Sequence, residues 1–270
     1  MIYVHDAGRM ANNMLQYGHL YAWGREHGRP TVSMRFAYKY RFFHIAHTRH
    51  HHLLTYLYAK YAAKWGLIPT VRFDNPHGDT AAQEQLMLSR RQVVATGWYA
   101  RWYDLFLKYK PEIVALYAFD AAIEQHVGRL LQQSEGCVRL GVHIRRGDYQ
   151  RWQGGRFFYS DEQYADVIGR VKTMLGSRRL HIYICGNDPH LNRSYYEQRF
   201  EKDQVTFPDG NPGQDLCLFS HCDYLIGPPS TFTLVAAMYR DLPLYWIKDA
   251  DAAVTPVSFE RFDRLFREIL

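Results

Sequence analysis

The chain has 270 residues, 47% of them hydrophobic, and a formal charge of +6 with neutral histidines. This length supports a sizeable core in one large or two small domains, and no stretch reaches the roughly 18 apolar residues of a membrane span. The positive charge is scattered, which suits a small anionic ligand and argues against nucleic acid as a partner.

Helical patterns alternate with short β-branched runs, so the expected class is α/β. Ile2–Val4 reads as a first strand with Asp6 at its end. Gly8 to Asn13 forms the turn into a helix whose buried stripe is Met14, Leu15, Tyr17, Gly18, Tyr21 and Ala22, and Gly28 and Pro30 stop it. Thr31–Met34 is a second strand. The aromatic, histidine-rich stretch from Phe36 to Trp65 is helical in part, with Leu53, Leu54, Leu57 and Tyr61 on one apolar face. Val93–Trp98 is a strand, Tyr103–Leu107 begins a helix, and Pro111 allows another near Glu112. Gly128–Gly136 has the composition of a hinge, which divides the chain into domains 1–130 and 131–270. Beyond it, Val138–Ile144, Leu180–Cys185, Val205–Phe207, Tyr224–Ile226 and Leu244–Ile247 read as strands. Asp161–Leu175, Asp215–Cys222 and Thr231–Tyr239 read as helices. Strand, turn and helix in this order fit a Rossmann-like second half, whose ligands lie beyond the carboxyl ends of the strands.

The chemistry-bearing motifs fall at those ends. His143-Ile144-Arg145-Arg146-Gly147-Asp148-Tyr149 follows a strand. Strand alternation puts His143 and Arg145 on one side and Arg146 on the other. Arg145 can then reach a ligand while Arg146 pairs with Asp148; the alternative is a structural Arg–Asp pair. A guanidinium fork matches phosphate geometry and can neutralise charge growing on a departing diphosphate. Leu225 to Thr233 is a strand, a Gly-Pro-Pro turn and a helix start. Ser230 is a candidate N-cap, and the free N–H groups and dipole of such a start suit phosphate. Thr231 adds a hydroxyl. Asn187 and Asp188 follow another strand, either as an Asx turn or as nucleotide contacts. Asp215, at the start of a predicted helix, is an ordinary first-turn carboxylate or a partner for guanine N–H groups. In the opening turn, Asn12, Asn13 and Gln16 either present amides to a sugar or satisfy the turn. No GxGxxG or Walker loop is present.

Cys137, Cys185, Cys217 and Cys222 form no CxxC pair and read as reduced, mostly buried thiols of a cytoplasmic protein. Zinc is not expected, because Cys217 and Cys222 lack a second close-spaced ligand pair. His50, His51 and His52 read as a solvated surface run. The opening Met1–Val4, followed by His5, Asp6 and Arg9, does not read as a secretory leader. The expectation is a soluble protein, with loose association at the inner face of the membrane left open.

Taken in order, these motifs resemble the bacterial-type α-1,2-fucosyltransferase family, glycosyltransferase family 11-like, within the wider group of α-1,2-, α-1,6- and protein O-fucosyltransferases. The carrying residues are Gly8, Asn12, Asn13, Met14, Leu15, Gln16 and Tyr17; Gly97-Trp98-Tyr99; His143–Tyr149; Asp215–Cys222; and Pro229–Thr233. The resemblance implies a GT-B-like fold of two Rossmann-like domains facing a cleft, the first on the acceptor side. It implies a GDP-fucose donor, an oligosaccharide or glycolipid acceptor, inversion at the anomeric carbon, and neither cofactor nor essential metal. Arg145 would engage the β-phosphate. His143, Arg146, Asp148 and Asp215 would help hold the nucleotide, with Asn187 and Asp188 nearby. Ser230, Thr231 and Phe232 would complete the phosphate and ribose side. Asp6 is the candidate base, since inverting transfer deprotonates the acceptor hydroxyl as it attacks. Arg9, Ala11, Asn13, Phe219, Pro229 and Leu234-Val235 depart from the family pattern. The competing functions are a non-catalytic nucleotide-sugar or glycan binding protein and a transferase using another GDP-sugar.

Overall fold

The computed structural model describes residues 1–201 and 204–269. The chain divides into two compact units, Met1–Asp120 and Ala121–Leu270. The second begins ten residues ahead of position 131, the domain start expected from composition. The reason is α6 (Ala121–Leu131), which is a regular helix through Gly128. It packs on α9 (Pro212–Ser220), and its Leu130 carbonyl accepts a 3.1 Å hydrogen bond from Tyr183 of the second sheet.

In the first unit four parallel strands run in the order β2-β1-β4-β3, namely Thr31–Ser33, Ile2–His5, Val93–Thr96 and Thr70–Arg72. α1 (Met10–Glu26) is buried on nearly every side, as a central helix must be when its polar residues serve local hydrogen bonds. α3 (Ala81–Ser89), α4 (Tyr103–Lys108) and α5 (Lys110–Leu116) complete the unit. α2 (Leu53–Lys64) sits the other way round from its hydrophobic pattern. The small Ala59 and Ala62 face the core beside Tyr3, Val32 and Met34. Leu53, Leu54 and Tyr61 are exposed, Leu54 by 72%. Alanines allow close backbone approach, so the bulky side chains are left outside.

In the second unit five parallel strands run β7-β6-β5-β8-β9: Val205–Thr206, Leu180–Gly186, Val138–Ile144, Tyr224–Gly227 and Leu244–Trp246. Relative to chain order this is 3-2-1-4-5, the doubly wound arrangement, and the winding reverses between β5 and β8. β5 is buried and apolar along most of its length, as a strand covered on both faces should be. α7 (Asp161–Leu175) starts on a Ser160–Gln163 capping box; α8 (Arg193–Phe200), α10 (Thr231–Arg240) and α11 (Phe262–Phe266) complete the helices. α9 starts before Asp215, at Pro212, because Asn211 and Gln214 form a second capping box. Asp215 therefore lies past the first three helical positions and does not open the helix.

Candidate anion site and buried acid

The second unit gathers its motifs at the carboxyl ends of β5, β6 and β8. Gly227 lets β8 come close to β5 there: a Cβ on it would lie 2.9 Å from the His143 carbonyl oxygen. His143 is buried, its ring 5.1 Å from Phe232 and 6.2 Å from Phe219. Ser230 caps α10, its Oγ accepting from the Phe232 N–H at 3.2 Å. The Thr233 hydroxyl donates to the Ser230 carbonyl and accepts from Trp246 Nε1, which fixes the cap from below. Tyr149 donates its hydroxyl proton to the Pro229 carbonyl and so fastens the loop after β5 to the turn before α10.

The two arginines divide differently from the expectation. Arg145 pairs with Asp148 through both Nε, at 3.3 Å, and Nη2, at 2.7 Å, and lies over the Tyr149 ring. Arg146 bonds Asp161 at 2.6 Å, Asp188 at 3.0 Å and the Tyr159 carbonyl at 2.9 Å. Strand alternation fails because β5 ends at Ile144. The backbone at Arg146, φ −116° and ψ −84°, is no longer extended. Asp148 lies in the short 3-10 turn that follows, within reach of Arg145. Two of the five N–H donors of Arg145 are thus engaged by Asp148, and three remain for an anion. Arg146, 11% exposed, is committed to structure.

Asn187 accepts from the Arg146 N–H at 3.2 Å and ties the loop after β6 to that after β5. Asp188 is held ionised below the usual carboxylate range: burial opposes this, but the His190 N–H and Arg146 outweigh it. Asp215 is different. Burial raises its pKa to about 6, its thiol neighbour is Cys185, and its Oδ1 has no hydrogen-bond partner. That oxygen is a buried acceptor with no donor against it.

In the first unit Asp6 follows β1 and is 1% exposed. Its Oδ2 accepts from Ser33 Oγ at 2.9 Å, while its Oδ1 has no hydrogen-bond partner. Burial raises its pKa to about 7, against the opposing Ser33 bond and Arg35. The Ser33 N–H donates to His51 Nε2 at 3.0 Å. The His51 proton is therefore on Nδ1, 2.8 Å from the Thr48 hydroxyl, and burial lowers the His51 pKa to about 4. His51 is thus a buried structural residue, and His52 caps α2; the histidine run is not simply solvated. Gln16 is saturated by Ala7 and Asn12 backbone groups, so its amide satisfies the opening turn. Asn13 is fully buried, donates to the Gly8 carbonyl, and keeps Oδ1 without a partner. Asn12 lies beside it in the first helical turn of α1, half-buried.

No protein-family model and no curated protein matches the chain. Solved structures match it in fold. A variant of Arabidopsis thaliana FUT1 in complex with GDP aligns with 96% of this chain and 73% of its own, at 13% identity and a TM-score of 0.65. POFUT1 in complex with GDP aligns over 89% and 94%, at 11% identity and a TM-score of 0.54. NodZ alpha-1,6-fucosyltransferase soaked with GDP-fucose aligns over 91% and 94%, at 11% identity and a TM-score of 0.53. The fold is GT-B-like. Its two Rossmann-like units are the two parallel sheets described above.

Within this GT-B-like chain, the expected donor-side residues His143, Arg145, Arg146, Asp148, Asn187, Asp188, Asp215, Ser230, Thr231 and Phe232 all belong to the second unit, and Asp6, Asn12, Asn13 and Gln16 to the first. Sequence reading gave no individual site role to Ser33, His51, Asp161 and Tyr149. Asp161 had a signal, the Ser160-x-x-Gln163 box; Ser33 and His51 reach Asp6 only through tertiary contact. Among the described residues the cluster of metal-ligating side chains is Glu124, Cys217 and His221, none of them an expected site residue.

Asp6 has a measurable consequence. Its folded pKa is above the unfolded carboxylate value near 4, so the neutral form stabilises the fold fully below about pH 4, and that contribution is lost as pH rises to about 7. Between about pH 5 and pH 8 the native chain should lose about 2–3 kcal/mol relative to Asp6→Asn, which does not ionise. Urea unfolding of both proteins at the two pH values measures this; a pH-independent difference rejects the raised pKa.

Proposed function

We propose that the protein is an inverting glycosyltransferase that moves fucose from GDP-fucose to a glycan hydroxyl, the 2-OH of a galactoside. The observation that carries the reading is the convergence of Arg145 and the Ser230-capped start of α10 at the point where the second sheet reverses its winding. A helix N-terminus and an arginine fork are complementary to a diphosphate. Cleavage of the glycosyl–phosphate bond builds negative charge on the leaving group, and fixed donors there lower the barrier. The buried Oδ1 of Asp215, which has no hydrogen-bond partner, suits the N–H edge of guanine. Fold likeness to structures holding GDP or GDP-fucose supports the same donor. The motif set of the opening turn and His143–Tyr149 supports the α-1,2 linkage. Asp6 is assigned the base: a carboxyl with a pKa near 7 is matched to proton abstraction near neutrality.

Arg145→Ala should lower the single-turnover rate at saturating GDP-fucose by roughly two to three orders of magnitude. Arg145→Lys should recover little, since an ammonium lacks the planar fork. Both variants should keep the native unfolding midpoint within a few degrees. A folded Arg145→Ala enzyme with a near-native rate removes the catalytic assignment. Binding of GDP-fucose without product across a galactoside panel makes the chain a binding protein instead.

The anion-binding elements are an arginine and backbone N–H groups, so transfer needs no divalent ion at the diphosphate. Initial rates measured after brief chelation should equal those of untreated enzyme; restoration of a lost rate by Mg²⁺ or Mn²⁺ contradicts this.

We also propose a cytoplasmic location with peripheral attachment to the inner face of the membrane. No helix among the described residues is long and apolar enough to cross a membrane. The four cysteines are free. On α2 and its C-cap, Leu54, Tyr58, Tyr61 and Trp65 recur at helical spacing on the exposed side, with Lys60 and Lys64 also exposed. Apolar and aromatic residues with flanking lysines suit an anionic bilayer surface. In co-sedimentation, the chain should bind vesicles rich in anionic phospholipid more than neutral ones. Leu54→Ser with Trp65→Ser should weaken that binding roughly tenfold or more; equal partitioning of native and variant protein rejects the surface.

A further inference from the structure

At the end of α9 that leads into β8, three ligating side chains meet. Cys217 and His221 are four residues apart, one on the helix and one at its C-cap, so they share a face. Glu124 reaches them from the first turn of α6. One ligand atom from each lies within 4.8 Å of the others. The Cys217 thiol bonds the Glu124 carboxylate, and its Sγ is 3.9 Å from His221 Nδ1. His221 Nδ1 is 2.9 Å from the Cys217 carbonyl, so this nitrogen carries the proton and Nε2 presents its lone pair. Nε2 is 3.8 Å from Glu124 Oε2, too long for a hydrogen bond. A tetrahedral zinc ion with bonds of about 2.0–2.3 Å needs ligands roughly 3.3–3.8 Å apart, so the three must close by about 1.5 Å at most. Glu124 and His221 are 47% and 30% exposed, which gives them room to move and leaves a side open to water.

We propose that Glu124, Cys217 and His221 bind a zinc ion that clips α6 to α9. One sulfur, one imidazole nitrogen and one carboxylate oxygen form a donor set suited to zinc, with water as the fourth ligand. The carbonyl of Cys217 orients the imidazole from behind, as outer partners of metal-bound histidines do. Burial and the Glu124 charge keep the Cys217 thiol protonated. Forming the zinc–sulfur bond therefore breaks the S–H bond, and one proton leaves to solvent for each ion bound. The site is structural. Its ligands are different residues from Arg145 and the Ser230-capped start of α10, which form the anion site. The sequence alone argued against zinc because Cys217 and Cys222 lack a paired motif; the third ligand comes from another helix.

The full chain, stripped of metal, is titrated with Co²⁺ and then Zn²⁺. A thiolate-to-cobalt absorption band should grow to saturation at one equivalent, vanish as zinc displaces cobalt, and be accompanied by a rise in the thermal unfolding midpoint. Cys217→Ser should abolish the band. Glu124→Gln and His221→Asn should each weaken binding at least roughly tenfold, whereas Cys137→Ser should not change it. If Cys217→Ser fails to fold, Glu124→Gln, altered at an exposed side chain, decides the matter. Absence of the band in the folded native chain, or a band of unchanged affinity in both Glu124→Gln and His221→Asn, overturns the proposal.

Discussion

In the second unit the site depends on where β5 lies. It is the first strand of the unit, yet it occupies the middle of the sheet, with β6 on one side and β8 on the other. The chain winds outward in one direction as far as β7, then returns to start again from β8. The loops leaving β5 and β8 must therefore diverge, one toward each face, and the space between them is open by construction. Gly227 sets the spacing, because a side chain there would meet the His143 backbone. The bond from Tyr149 to the Pro229 carbonyl then holds the two loops in register. Arg145 and the start of α10 come to one place because the topology leaves them nowhere else to go.

The electrostatics follow the same plan. Arg146 is nearly buried and must be neutralised where it stands, and Asp161 and Asp188 do this from α7 and from the loop after β6. An unpaired charge at that depth would be costly. With its neighbour fully engaged, Arg145 pairs, among the described residues, with the half-exposed Asp148. The pair orients the guanidinium without exhausting its donors. Asp6 and Asp215 follow a different principle. Asp6 is buried and Asp215 half-buried, each with one oxygen left without a partner, and burial makes each hold its proton to a higher pH than an ordinary carboxyl does.

Much of the second unit was legible in its sequence. Val138–Ile144 and Asp161–Leu175 were expected with the observed ends, because a strand buried on both faces and a boxed helix start leave strong local marks. The first unit was harder to read. β3 has three residues, two of them exposed, and α3 buries only Met87, so neither carries a periodic signal. α2 misled because its largest apolar side chains face outward. The motif residues were identified at the right strand ends, but their partners were not. Alternation is a rule about extended backbone, and it says nothing once the chain turns at Arg145. The partners of Asp6 lie 27 and more residues away in the chain, where spacing carries no information.

The edges of the second sheet also bear on how the molecule behaves among its own copies. β7 has only two residues. On the opposite side, β9 is closed by the antiparallel bridge between Leu244 and Glu260, each donating an N–H to the other's carbonyl. A strand from a neighbouring molecule would find a template too short on one side and its hydrogen bonds already used on the other. A concentrated solution of this protein is thereby guarded against growth of the second sheet from chain to chain.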